Sequence, residues 1–209
     1  MAAPSYPLTM PTNSGFTQSE FRLIRKVGMT ESPFTGAQQV YEFDYALWAG
    51  NVSLPPMKRE KAREWIAFLM KLHGRRGTFL LGDPDAKTAQ GDISGVVTVS
   101  GAHSAGDYVL SLDTAQNSET DQFKIGDYIQ VGSGAAAKLH LIVENSGTSG
   151  VTGIVDVTIE PALKVAYSGG ESVSYTDPVG NFRLQDNDVS WSADHVSKFG
   201  ISFAFIEAL

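Results

Sequence analysis

Hydrophobic and polar residues alternate along the first part of the chain. The run 20-EFRLIRKV-27 alternates apolar and charged residues. After the turn residues 31-ESPFTGA-37, four further residues recur at every second position: Tyr41, Phe43, Tyr45 and Leu47. A third run with the same period lies near the end of the sequence: Phe199, Ile201, Phe203 and Phe205. Because successive side chains of a strand point to opposite faces, all three runs predict strands with one apolar face.

One helix is predicted between these runs. Five apolar residues recur there at three- and four-residue steps, which places them on one helix face: Ala62, Trp65, Ile66, Leu69 and Leu72. Gly74 follows at the position where a glycine commonly ends a helix, so we expect a helix over about residues 57–73. The run 78-TFLLG-82 then predicts a short buried strand, which Asp83 and Pro84 close.

The residues from 91 to 180 have a different pattern. Six short β-type runs, each bounded by Gly, Ser, Asn or Asp, predict a small antiparallel barrel or sandwich: 93–100, 108–113, 127–132, 138–144, 153–160 and 171–176. The few strands at either end of the chain cannot bury their apolar faces alone. We therefore predict one discontinuous β domain, 1–90 and 181–209, with 91–180 inserted as a second domain. Residues 1–19 are expected to form an extended arm.

The distribution of charge supports this division. The net charge is −7, but residues 1–91 carry 11 Lys and Arg against 8 Asp and Glu, whereas residues 92–182 carry 3 against 11. Residues 183–209 carry 2 against 4. The excess of acidic residues in the inserted segment is typical of a separate unit, and it should repel a nucleic-acid phosphate backbone.

Composition excludes several classes of protein. The chain has no cysteine, which excludes disulfides, thiol catalysis and zinc–thiolate sites. No window approaches the roughly 18 consecutive apolar residues that indicate a membrane span. The first residues, MAAPSYPLTM, lack the basic and apolar regions of a signal peptide. We expect a protein that folds by packing alone and has no membrane partner.

Residues with catalytic or metal-binding potential are scattered. The four histidines have no metal-binding partner three or four positions away: His73, His103, His140 and His195. Asp83, Asp85 and Asp92 lack the glycine and the terminal glutamate of a calcium loop, so we interpret them as part of a polar linker. The repeated tripeptide at 106-GDY-108 and 126-GDY-128 predicts a turn before a strand.

No enzyme is therefore predicted. The sequence has no nucleophile elbow, phosphate-binding loop or dinucleotide motif between a strand and a helix. We predict no catalytic, cofactor-binding or metal-binding residue. A hydrolase that uses paired carboxylates remains the last enzymatic alternative, and Asp83, Asp85 and Asp92 are its only candidates.

Two surfaces could bind a partner. Segment 57–76 carries seven Lys and Arg against Glu60 and Glu64. We favour a solvated outer face for it, with binding to phosphate or to an acidic partner surface as the alternative. Four tyrosines of the inserted segment could stack on sugar rings if they are exposed: Tyr108, Tyr128, Tyr167 and Tyr175. A carbohydrate-binding module is therefore a second candidate function, although all three tryptophans lie outside this segment.

The order of these elements resembles a known family. The run 54-LPPMKREKAREWIAFLMKLHGRRGTFLLGDP-84, the inserted β segment and the apolar last strand resemble distal tail proteins (Dit-like) of long-tailed bacteriophages. Within the insertion, 123-FKIGDYIQVG-132 followed by 138-KLHLIVEN-145 is similar to the inserted domain of their tail-tip relatives. The resemblance covers about residues 20–209. It rests on the order of elements and not on an invariant motif.

The resemblance implies a fold and a function. Such proteins form a ring, typically a hexamer, at the distal end of the tail tube, in the baseplate or tail tip of the virion. The ring joins the tube to the hub or central fibre and lets DNA pass as cargo. It also implies a sandwich-like ring domain, an inserted OB-like barrel and assembly in the cytoplasm of a bacterial host. The alternatives are a carbohydrate-binding module of the tail tip and another ring-forming tail protein, such as a tube subunit.

Overall fold

The computed structural model describes residues 4–209, apart from the side chain of Asp44. Within that range, the helix and strands follow in this order: β1 (Gln18–Glu31), β2 (Gln38–Ser53), β3 (Met57–Lys58), α1 (Arg59–Lys71), β4 (Thr78–Leu81), β5 (Val97–Val99), β6 (Val109–Asp113), β7 (Tyr128–Val131), β8 (Lys138–Ile142), β9 (Ile154–Glu160), β10 (Ser172–Ser174), β11 (Gly180–Leu184), β12 (Trp191–Ala193) and β13 (Lys198–Glu207). The predicted fold class is confirmed, because the chain is mainly β, with one helix, a large sheet and a closed barrel.

The larger sheet is built from both ends of the described chain. Its main strands lie in the order β1-β2-β13-β11-β4, and β3 and β12 pair with the first residues of β13. All the pairings are antiparallel, as hairpins and long returns of the chain allow. Strand β13 joins the two ends because it pairs with β2 on one side and with β11 on the other. The domain boundaries at 90 and 181 stay a prediction.

Helix α1 and one face of the sheet enclose the first core. The helix buries Trp65, Phe68 and Leu69, and the Phe68 ring meets the Phe79 ring edge to face at 5.7 Å between centroids. Phe205 of β13 is fully buried beneath them. Edge-to-face contacts add to the stabilisation that burial of aromatic rings provides. Four of the five apolar residues predicted for this face are buried, and Ile66 is partly buried. The prediction missed Phe68, which is buried as well.

The ends of α1 differ in detail from the prediction. The helix begins two residues later than expected, because Met57 and Lys58 extend along β13 as β3. At its other end His73 already has a left-handed backbone, with φ 51°, and Gly74 follows with φ 66°. The predicted glycine is present, but the histidine before it adopts the first left-handed conformation after the helix.

The predicted arm packs against this core. Leu8 N–H donates to the Thr78 carbonyl at 2.8 Å, and Trp65 Nε1–H donates to Asn13 Oδ1 at 3.0 Å. The segment is thus extended, as expected, and docked along β4 and α1. Residues 1–3 of the predicted arm lie outside the described residues.

The inserted segment forms a closed antiparallel barrel. Six strands follow one another in the order β10-β5-β6-β9-β8-β7, and β10 pairs with β7 to close the ring of strands. All six runs predicted from sequence are present, each of them shorter by one or more residues. The barrel has its own core of buried apolar residues, which include Leu110, Ile129, Val157 and Ile159.

The two GDY tripeptides form the same turn twice. Gly106 and Gly126 have φ near 95°, a conformation that favours glycine. In each turn the aspartate accepts the backbone N–H three residues earlier, Asp107 from Ser104 at 2.7 Å and Asp127 from Lys124 at 2.8 Å. The repeat is therefore a structural turn, as predicted.

Candidate assembly interface

The far end of the β1–β2 hairpin leaves the body of the sheet. Residues 27–31 of β1 pair with residues 38–42 of β2 beyond an irregularity at Lys26, and a loop of residues 32–37 joins them. Strand β13 pairs only with residues 49–53 of β2. In the described part of the chain, residues 27–42 therefore form a two-stranded ribbon, which we call the ribbon.

The ribbon exposes apolar side chains on both faces. Val27, Met29 and Val40 share one face, since Met29 pairs with Val40 across the strands, and each is more than half exposed. Tyr41 lies on the other face, beside Gly28, and Phe43 follows it on the same face just beyond the ribbon. Two-stranded hairpins are marginal in water, and apolar surface of this kind commonly marks an interaction site. The ribbon is therefore a candidate protein interface.

The tip of the ribbon carries one aromatic side chain. Phe34 is 94% exposed. Its loop is closed by two backbone hydrogen bonds of 2.9 Å, from Ser32 N–H to the Ala37 carbonyl and from Gly36 N–H to the Ser32 carbonyl. Gly36 has φ 67°, as such a tight turn requires. The loop backbone therefore holds Phe34 at the tip, with its ring in solvent.

A cavity lies at the base of the ribbon, where the barrel meets the sheet. Its volume is about 300 Å³. Leu163 of the barrel is buried in its wall, and three partly exposed apolar side chains line it as well: Phe43, Tyr108 and Val165. We call it the ribbon cavity. Apolar cavities of this size suit side chains or small ligands.

A buried polar joint fixes the barrel to the sheet beside this cavity. Lys138 Nζ donates to the Ala208 carbonyl at 2.9 Å, and Trp48 Nε1–H donates to the Leu139 carbonyl at 2.8 Å. Glu207 accepts the Trp48 backbone N–H at 3.1 Å. Each bond crosses from one unit to the other or supports a residue that does. We call these contacts the joint.

Burial is the largest cause of the pKa shifts of the charged groups in and beside the joint. It raises the pKa of the Glu207 carboxyl, and the Trp48 N–H, Lys164 and Lys138 act in the opposite direction. Burial also lowers the pKa of the Lys138 and Lys164 ammonium groups, while Glu207 favours their charged forms. Removing one of several opposite charges at a buried site leaves the others uncompensated, which costs stability.

A second set of contacts holds the ribbon to the barrel. Arg25, just before the ribbon, donates to the Glu160 carboxylate at the end of β9, and this bond is the main cause of its raised pKa. Lys164 Nζ donates to the Ala46 carbonyl. The base of the ribbon is thus anchored, whereas its tip is exposed.

The basic face of α1 is exposed, as the favoured interpretation predicts. The seven cationic residues of segment 57–76 all lie on the surface, four of them in α1 and three beside it: Lys58, Arg59, Lys61, Arg63, Lys71, Arg75 and Arg76. The ion pairs found among residues 4–209 involve Arg22 and Arg25 instead. This face remains available to solvent or to an acidic surface.

The histidines remain apart in the fold. His73 lies at the end of α1, His195 is exposed near β12, and His103 bonds the Ser100 carbonyl and Ser111 N–H within the barrel. His140 is fully buried, its Nδ1–H donates to the Pro161 carbonyl at 2.7 Å, and burial lowers its pKa to about 4. No group of three or more metal-ligating side chains occurs within residues 4–209.

The candidate carboxylates do not face a cavity together. Asp83 accepts the Asp85 backbone N–H at 3.1 Å, which is an ordinary turn contact. Asp85 and Asp92 are exposed. None of the three lines the ribbon cavity. The structure therefore does not place these three carboxylates together at a cavity, as the hydrolase alternative would require.

One of the four barrel tyrosines is well exposed. Tyr108 lines the ribbon cavity. Tyr128 packs against Trp48 with 6.0 Å between ring centroids, and burial raises its pKa. Tyr167 is 8% exposed, and burial raises its pKa to about 12. Tyr175 packs against Phe123 and donates to the Gly95 carbonyl. They do not form a common platform for stacking on sugars.

No protein-family model and no curated protein sequence matches this chain. Among residues 4–209, no helix has the length and apolar character that crossing a bilayer requires.

The sequence pattern predicts the strands of the ribbon but not the exposure of their apolar side chains. The period-two pattern of Tyr41, Phe43, Tyr45 and Leu47 indicates a strand with an aromatic face, and the strand is present. Along it, Leu47 is buried while Tyr41 and Phe43 are exposed. The ribbon cavity joins segments more than 100 residues apart, and no local signal in the sequence marks it.

Proposed function

We propose that the chain is a structural bacteriophage protein, a distal tail protein that forms a closed hexameric ring at the distal end of the tail tube. The ring joins the tube to the hub or central fibre and lets DNA pass through its lumen. It is part of the virion tail tip and is assembled in the cytoplasm of the host. No catalytic step, metal or cofactor belongs to this function.

The ribbon is the observation that carries the proposal. Its apolar faces have no partner among the described residues, so burying them requires a second chain. A ring places the same surface of each copy against a different surface of the next. The resemblance of the element order to distal tail proteins supports a ring in preference to other assemblies.

Light scattering and negative-stain electron microscopy of the purified chain test the proposal. Closed rings with a central hole and outward lobes are expected, with a mass of about 135 kDa for six copies of a 22.5-kDa chain. A chain that stays a 22.5-kDa monomer at high concentration, alone and with a tail-tube subunit added, would contradict the proposal.

The two alternatives give different results in the same experiment. A tube subunit would stack into long tubes instead of single rings. A carbohydrate-binding module would remain a monomer and would bind a subset of sugars on a glycan array. The exposed ring of Tyr108 is the observation that favours this second candidate. An array without hits would remove it.

A further inference from the structure

We propose that Phe34 at the ribbon tip of one copy inserts into the ribbon cavity of the next copy. This inference rests on the proposed ring and identifies the contact that would close it. A ring requires two different complementary surfaces on one chain. The chain offers an aromatic side chain that is 94% exposed and an open cavity of about 300 Å³, which both apolar and cationic side chains line. A cavity of about half that volume already accepts a benzene ring.

The ribbon cannot fill its own cavity. Arg25, Lys26 and Phe43 line the cavity at the base of the ribbon, and five paired residues of β1 then lead away from it. At about 3.3 Å per residue, these five residues alone separate the tip from the base by about 17 Å. Phe34 therefore reaches a cavity only on another molecule.

The charges of the two surfaces are complementary. Glu31 is the only charged side chain between Gly28 and Tyr41, so the tip is acidic. The cavity lining carries four cationic residues against the acidic Glu42: Arg25, Lys26, Lys138 and Lys164. Opposite charges on two surfaces steer their encounter and fix their relative orientation.

Lys26 is the cation in this lining that is best placed to meet Glu31. Arg25 already contacts Glu42 and Glu160, and the two barrel lysines donate to backbone carbonyls of the sheet. The Lys26 ammonium lies 4.4 Å from the centroid of the Tyr45 ring, at the exposed edge of the cavity. The inserted tip would therefore place Glu31 of one copy beside Lys26 of the next.

Cross-linking through introduced cysteines tests the contact directly. The chain has no cysteine, so each introduced thiol is unique. Thr35→Cys places a thiol beside Phe34, and Ala105→Cys places one in the lining of the cavity. With a short bis-maleimide, the double variant should give a ladder of covalent oligomers. An equal mixture of the two single variants should give covalent dimers only.

A matched control uses the other end of the barrel. Val151→Cys is also at an exposed position, 81% accessible, but it precedes β9, whereas Ala105 precedes β6. Because β6 and β9 are antiparallel, with Val109 opposite Thr158, the two positions lie at opposite ends of this strand pair. Thr35→Cys combined with Val151→Cys should give no ladder.

The possible outcomes separate the contact from the ring. If electron microscopy shows rings but Thr35→Cys does not cross-link to Ala105→Cys, the proposed contact is wrong while the proposed ring function stands. Cross-links of Thr35→Cys alone would overturn the contact in favour of a tip-to-tip dimer. A chain that never assembles would overturn both proposals.

Substitutions at the tip give an independent measure. Phe34→Ala should raise the concentration needed for assembly at least about tenfold, as expected for a central aromatic contact. Val96→Ala, at an 80%-exposed position of the barrel, should leave that concentration unchanged. Glu31→Lys should weaken assembly, and adding Lys26→Glu should restore it. If Glu31→Lys weakens assembly and the added Lys26→Glu does not restore it, these two residues do not pair.

Discussion

Replacing His140 should remove a large part of the acid sensitivity of this protein. His140 is fully buried, and its Nδ1–H donates to the Pro161 carbonyl. The other ring nitrogen, Nε2, is buried without a partner. Protonation would place a charged N–H at a site that offers no acceptor and that lies near the charges of Lys164 and Lys138. The folded chain therefore holds the imidazole neutral.

The sign and size of the effect follow from the two pKa values. Burial lowers the pKa of His140 from 6.5 to about 4 in the folded chain. Above pH 6.5 the ring is neutral in both states and contributes nothing. Below pH 6.5 the unfolded chain binds the proton first, so the free energy of unfolding falls by about 1.4 kcal/mol per pH unit, reaching a loss of about 3 kcal/mol near pH 4.

Urea unfolding followed by circular dichroism between pH 7.5 and pH 4 measures this loss. The variant His140→Asn keeps an N–H that can donate to the Pro161 carbonyl but cannot titrate. The free energy of unfolding of the original chain should fall relative to that of the variant by about 3 kcal/mol over this range.

Two features of this comparison ensure that the measured difference comes from His140. Glu207 has a raised pKa and would gain stability as the pH falls, but it is present in both proteins and cancels in their difference. His195→Asn makes the same chemical change at an exposed position and serves as the matched control. If the curves for the original chain and for His140→Asn stayed parallel from pH 7.5 to pH 4, the argument would be refuted.

Three further substitutions test the joint, the core and the cavity. Trp48→Phe deletes the donor to the buried Leu139 carbonyl and should lower the free energy of unfolding by about 1–3 kcal/mol, whereas Trp191→Phe at a partly exposed site should have little effect. Phe205→Ala opens the centre of the sheet core and should cost about 3–5 kcal/mol in urea unfolding; a cost below 1 kcal/mol would show that the core can collapse. Tyr108→Ala should change stability by less than about 0.5 kcal/mol, and a glycan-array signal that it abolished would favour the carbohydrate-binding alternative.

Local patterns predict the elements of this fold because each element buries one face. The period of two along β13 places Ile201 and Phe205 on the face that the structure buries. The steps of three and four along α1 likewise select Trp65 and Leu69. Such signals are short-range, because the periodicity of apolar residues that marks a buried strand or helix face is contained within that one element.

The pairing of strands and the exposure of their side chains cannot be predicted from the local sequence pattern alone. Alternation shows that Tyr41 and Phe43 share a face of β2, but it cannot show whether another element covers that face. In this fold β13 ends its pairing with β2 before it reaches these residues. The buried surroundings of His140 likewise depend on Pro161 and Lys164, which follow it by more than 20 residues in a separate segment of the chain.

The joint determines whether the proposed contact between copies can form. One side of the ribbon cavity belongs to the sheet, at Arg25, and the other to the barrel, at Leu163. The bonds of Lys138 to the Ala208 carbonyl and of Arg25 to Glu160 fix these two sides relative to each other. A fixed angle between tip and cavity is what closes a ring instead of an open filament. Weakening the joint should therefore broaden the range of ring sizes before it abolishes assembly.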